Sequence, residues 1–166
     1  MGGSFMHSRT GLITPYLGDE WFAAADATIE ESRRLGLSVY LYDEDKWPSG
    51  FSGGSVPRAD KSFRMKALIA VPTDVPAPEH TRPIGPLRNG LQVYVWTSPL
   101  GHDWFNGTCY TDLMNPSAIK CFLEEAYASY HRRYGQEYGN LITAEFTDEP
   151  CTIFRSRLPE GAVPYT

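Results

Sequence analysis

The sequence predicts an α/β fold, a partial (β/α)8 TIM barrel. Three observations predict it. Short apolar strands alternate with helical segments, two of those strands run out into acidic clusters, and the 166 residues fall well short of the ~250 that a complete barrel takes. Residues 1–166 read as a single segment, roughly half of such a barrel, with an excursion at about 72–90 and an irregular tail over 151–166.

The elements follow in order. The small and apolar residues 1–6 run into His7-Ser8-Arg9, the end of a strand that hands polar side chains to a loop. A helix is expected from Asp19, which serves as its N-cap; Phe22, Ala25, Ile29 and Ser32 recur at helical spacing, and Arg33, Arg34 and Gly36 stop it near Leu35. Leu37–Tyr42 is a β-branched and aromatic run between Gly36 and the acidic Asp43-Glu44-Asp45, which predicts a buried strand. Residues 47–57 are rich in Gly, Ser and Pro and form a loop. Lys66–Val71 and Leu91–Thr97 are further strands on either side of the Pro-rich excursion. The clearest helix opens at Asn115-Pro116, an N-cap followed by Pro at the first helical position, and continues through Ile119, Phe122, Leu123, Ala126, Tyr127, Tyr130 and Tyr134 until Gly135 or Gly139 closes it. Leu141–Phe146 is the last strand and releases Thr147-Asp148-Glu149-Pro150.

Composition narrows the function. A net charge of -5 argues against nucleic acid and against an anionic membrane surface, since neither attracts an acidic chain. No apolar run approaches the ~20 residues of a membrane span. The first residues read as the interior of a domain and show no export signal, which leaves the cellular address open. Cys109, Cys121 and Cys151 are an odd set without metal-type spacing and read as free thiols. Gly50-Phe51-Ser52-Gly53-Gly54 follows a strand but lacks the spacing of a dinucleotide loop.

The chemistry rests on carboxylates. An acidic residue after a strand is, taken alone, most often a cap or a solvated side chain. Two strand-end glutamates, Glu44 and Glu149, released on one face of a barrel are what glycoside hydrolysis requires: one protonates the leaving oxygen while the other activates water or attacks the sugar. Asp43, Asp45 and Asp148 crowd them, and like charges in a cleft raise the pKa of one member, as an acid needs. The same cluster, joined by carbonyl oxygens, offers the ligand chemistry of Ca²⁺. The frequent aromatic residues, 13% of the chain, suit a sugar cleft as well as a core.

The segments Gly2–Arg9, Pro15–Trp21, Leu41–Gly50, Gly107–Pro116 and Phe146–Pro150 together resemble bacterial glycoside hydrolases related to the α-L-rhamnosidases of glycoside hydrolase family 106, and the likeness covers nearly the whole chain. Its most specific motifs are Trp47-Pro48-Ser49-Gly50 and Asp148-Glu149-Pro150. The resemblance implies a large multidomain enzyme whose catalytic barrel inverts the anomeric centre with one acid and one base glutamate, often with a bound calcium. Glu44 and Glu149 would be that pair, Glu44 as acid and Glu149 as base, with the reverse permitted. His7, Arg9, Trp47 and Tyr110 would line the sugar site beside Asp43 and Asp148. Further barrel strands and accessory β domains of a longer chain would be the partners of this segment; without them, its exposed strand edges invite self-association. A catalytically silent carbohydrate-binding or degenerate fragment is the alternative.

Overall fold

The computed structural model describes residues 2–86, 89–155, 158 and 160–166. Expectations for residues 1, 87, 88, 156, 157 and 159 lie outside the described residues. The chain is mixed α/β and forms two compact units: residues 1–53 with 121–150, and residues 54–120 with 151–166.

The first unit is built on three parallel strands, β1 (Gly3–Met6), β2 (Ser38–Tyr42) and β6 (Ile142–Phe146), in the order β1-β2-β6. Helix α1 (Asp19–Leu35) links β1 to β2. Its N-cap is Gly18 rather than Asp19, which instead joins Glu20 in the first turn, where acidic side chains suit the helix dipole. Gly36 ends it as predicted, in the left-handed conformation at φ 67°, and its N–H reaches the carbonyl oxygens of the last turn. Trp21, Ala25 and Ile29, spaced by four, put one stripe of α1 against Val39 and Leu41 of β2 and Ile142 of β6. Full burial of an aliphatic side chain such as Ile29 or Leu41 contributes about 1.5–3 kcal/mol.

The long predicted helix is present in two parts, α3 (Pro116–Glu125) and α4 (Tyr127–Tyr134), separated at Ala126, where ψ is -73°. Asn115 caps the first, its side-chain oxygen accepting the Ser117 N–H at 3.0 Å. Tyr130 and Tyr134 of α4 join the same core as α1, and the Trp21 indole donates to the Tyr130 hydroxyl at 2.9 Å. Both helices therefore cover one face of the parallel sheet. The other face carries rings: Phe5 stacks on Tyr40 at 4.7 Å, His7 on Tyr42 at 3.8 Å, and Tyr42 on Phe146 at 5.8 Å.

The second unit contains the short helix α2 (Ser55–Ala59) and an antiparallel sheet of β3 (Lys66–Pro72), β4 (Thr81–Pro86), β5 (Leu91–Thr97) and β7 (Val163–Tyr165) in the order β4-β5-β3-β7. Two expectations need correction here. Lys66–Val71 and Leu91–Thr97 are strands, but they pair antiparallel with each other instead of extending the parallel sheet. The excursion and the tail also each supply a strand. Both added strands lie at sheet edges, where Pro83, Pro86 and Pro164 can lack an N–H without leaving a ladder position empty.

Candidate functional site

Because β1, β2 and β6 are parallel, their C-terminal ends share one edge of the sheet, and the residues they release belong to the first unit. β1 releases His7-Ser8-Arg9, β2 releases Asp43-Glu44-Asp45, and β6 releases Thr147-Asp148-Glu149. The loop after β2 crosses between the last two. Ser49 donates its backbone N–H to the Asp148 carbonyl at 2.9 Å, and its hydroxyl accepts the Asp148 N–H at 2.9 Å. The same hydroxyl donates to Asp43 Oδ1 at 2.6 Å.

Glu44 is 0% exposed. Its Oε1 accepts the backbone N–H groups of Asp45 (2.8 Å) and Gly53 (2.6 Å), and its Oε2 those of Gly50 (3.1 Å), Phe51 (2.9 Å) and Ser52 (2.7 Å). Glycine explains how a loop can wrap so closely around one carboxyl: Gly50 and Gly53 sit at φ 132° and 60°, where other residues are strained. Burial pushes the Glu44 carboxyl up to about 8, and the amide N–H groups pull against that rise. The backbone carbonyl of Glu44 accepts a short hydrogen bond from Ser8 Oγ, which ties β1 to the same turn.

Asp43 is also buried, with Ser49, Tyr127 and Thr147 donating hydroxyl hydrogens to it. Burial raises its pKa, and these hydroxyls oppose the rise. The lone pairs of Asp43 and Glu44 are thus committed to protein donors, a poor fit to a calcium ligand set. Among the described residues no group of three or more His, Cys, Asp or Glu side chains could hold a metal ion.

Glu149 differs in every respect. It is exposed, sits at φ 44°, and its Oε2 accepts the indole N–H of Trp47 at 3.0 Å. Trp47 itself is 38% exposed. Asp148 is half-buried, and the Tyr42 hydroxyl donates to its Oδ2 at a long 3.5 Å. Burial, with Asp148, Glu44 and Asp43 nearby, drives the Tyr42 hydroxyl far above the ordinary phenol range, so it stays protonated and available as a donor.

The first unit therefore holds Glu44, Glu149, His7, Arg9, Asp43, Trp47 and Asp148 at or beside one sheet edge. His7 lies flat on Tyr42, and Arg9 is exposed. Tyr110 belongs to the second unit and is 0% exposed; its hydroxyl accepts the Cys151 N–H at 3.1 Å and its ring packs near Phe105 and Phe154. Its ring is fully covered, so it offers no surface to a ligand in this conformation.

Sequence reasoning missed Tyr127 and Thr147 as partners of Asp43, because contacts across 84 and 104 positions leave no local pattern. It also missed the ring face of Phe5, Tyr40 and Phe146. Here a signal existed: Tyr40 and Tyr42 alternate with Val39 and Leu41, the period that sends them to the opposite side of the sheet.

No protein-family model, curated protein or solved structure matches the chain. No helix among the described residues is long and apolar enough to cross a membrane.

Proposed function

We propose that this chain is a segment of a (β/α)8 glycoside hydrolase, α-L-rhamnosidase-like, that cleaves O-glycosidic bonds by carboxylate chemistry. One observation carries the reading: the exposed Glu149, held by the Trp47 indole, stands at the C-terminal edge of a parallel sheet together with two further acidic residues, Asp148 and Asp43. That edge is where barrel enzymes place their reacting groups. Strand order supports the barrel. Consecutive parallel strands lie side by side with α1 and α4 on one face, the winding of a barrel wall, whereas a doubly wound sheet puts helices on both faces. The face away from the helices then corresponds to a barrel interior.

In this mechanism Glu149 is the carboxylate that meets the sugar, as base towards water, and Trp47 orients it. Glu44 has a pKa suited to a general acid, yet acting on a glycosidic oxygen would require the 50–53 loop to open. A second reading draws on that enclosure: with Glu44 fully committed to the loop, the segment binds carbohydrate without cleaving it.

Hydrolysis of a panel of aryl glycosides, led by the α-L-rhamnoside, by this chain and by a longer protein containing it separates the readings. Glu149→Gln is expected to lower turnover by about 10²–10⁴-fold, the usual worth of a general base, with the fold intact. A Glu44→Gln protein that keeps its melting temperature but loses turnover would make Glu44 the acid. Turnover unchanged in Glu149→Gln would remove the proposed base, and no turnover of any glycoside would leave the binding reading.

A further inference from the structure

The second unit contains a cavity of about 680 Å³ that the chemistry above does not use. Its floor is one face of the antiparallel sheet. Lys66 on β3 stands opposite Thr97 on β5 and Tyr165 on β7, and Arg82 on β4 stands opposite Val95, so the pleat turns all five side chains to the same side. His80 extends this row, since its carbonyl accepts the Thr97 N–H at 3.0 Å. Lys61 and Arg64, from the turn that precedes β3, complete the wall.

Lys61, Arg64, Lys66 and Arg82 line one concavity, and among the described residues that line it none is Asp or Glu. Lys66 is ion-paired with Asp112, so Lys61, Arg64 and Arg82 are the cations offered to a ligand. Behind the lining, Lys66 Nζ donates to the buried Asp112 Oδ2 at 2.9 Å, and Arg64 Nε to the Pro57 carbonyl at 3.2 Å. Those bonds hold the two head groups in place, and the first is an ion pair that compensates the Lys66 charge. Cations gathered on one cavity repel one another, and a bound anion relieves that repulsion. The concentration is the more pointed in a chain whose net charge is -5.

We propose that this cavity binds the carboxylate or sulfate group of an acidic saccharide. Arginine forks match planar oxyanions with paired hydrogen bonds, while Tyr165 and Leu100 give a sugar ring apolar surface. The volume falls within the 300–1,000 Å³ range typical of small-ligand sites. A nucleic-acid backbone would need a basic track along the surface, and a chain with a net charge of -5 is a poor match to it. The saccharide as carrier of the anion rests on the carbohydrate reading above; the anion site itself does not.

Calorimetric titration of the whole chain with trigalacturonate, with the neutral galactose trimer and with sodium sulfate tests the inference. Trigalacturonate is expected to bind, the neutral trimer at least roughly tenfold more weakly, as befits loss of a charge-assisted contact. Added sodium chloride should weaken the uronate by screening. Arg82→Ala and Lys61→Ala, both at exposed positions, should each lower its affinity roughly tenfold with the melting temperature unchanged. Equal affinity for both trimers, indifference to both substitutions, or no binding of uronate or sulfate would overturn the site. Sulfate binding without uronate binding would overturn the saccharide. Glu149→Gln keeps uronate binding if the cavity is as described, whatever becomes of hydrolysis, so the two proposals fail separately.

Discussion

Glu44 gathers five backbone N–H groups around one carboxyl, and its removal would leave them buried without an acceptor. Each such group costs about 1–3 kcal/mol, partly recovered as the loop relaxes. Glu44→Ala is therefore expected to destabilise the chain by about 3–5 kcal/mol, a melting temperature lower by roughly 10 °C in a thermal scan. A titration argument accompanies it. The folded carboxyl is raised from 4.5 to about 8, so between these values the folded chain keeps a proton that the unfolded chain has released, and stability falls as pH rises through that window. Denaturation at pH 5 and pH 8 should show this fall, and Glu44→Gln should reduce it. Asp43 and Glu145, both also raised, leave a smaller slope of the same sign. The sequence identified Glu44 as special because a glutamate at a strand end is visible locally. Its amide shell was not legible: the Gly-, Ser- and Pro-rich run read as a loop, and nothing local shows that its backbone N–H groups close on the chain's own carboxyl.

Strands and helices were legible where a period carries information. α1 and β2 match their apolar spacing because one stripe or face must be buried. The direction of pairing was not, because β3 and β5 look alike locally whether they extend a parallel sheet or form an antiparallel one. β7 was invisible for another reason: three residues with a proline at the centre hold no periodic signal. The joint between β1 and β2 gives a test of element packing. A Cβ at Gly3 would lie 2.4 Å from the Ser38 carbonyl oxygen and 2.8 Å from Tyr40 Cε2, and the first of these is backbone that cannot step aside without loosening the pair. Gly3→Ala should thus cost about 1–3 kcal/mol, measurable as a lower denaturant midpoint with an unchanged slope. An unaltered midpoint would mean that β1 contributes little to the fold.

The molecule as a whole joins a parallel sheet with helices on one face to an antiparallel sheet in a separate unit. The alternation of strands and helices pointed to the α/β class, and the length to a single segment; neither could divide the chain, since both units are made of segments distant in sequence. Parallel sheets are ordinarily covered on both faces. Here Phe5 is 57% and Phe146 40% exposed on the face away from α1, and among the described residues β1 and β6 each have one strand neighbour. Bare rings and open ladder edges favour pairing between copies. Sedimentation velocity should accordingly show association that grows with concentration and is weakened by Phe5→Ser with Phe146→Ser. A monomer at every concentration would show that the exposed face is tolerated.

The hydrogen bond from Trp47 to Glu149 has an optical consequence. An indole whose N–H is tied to a carboxylate emits according to that partner's charge and hydration. A ligand that draws Glu149 away, or that covers the exposed ring, changes the emission without any attached dye. The chain has four tryptophans; Trp21 and Trp96 are buried and the half-buried Trp104 belongs to the second unit, so a Trp104→Phe protein leaves Trp47 as the exposed reporter over a buried background. Occupancy of this edge of the sheet is in that sense written into the protein's own fluorescence.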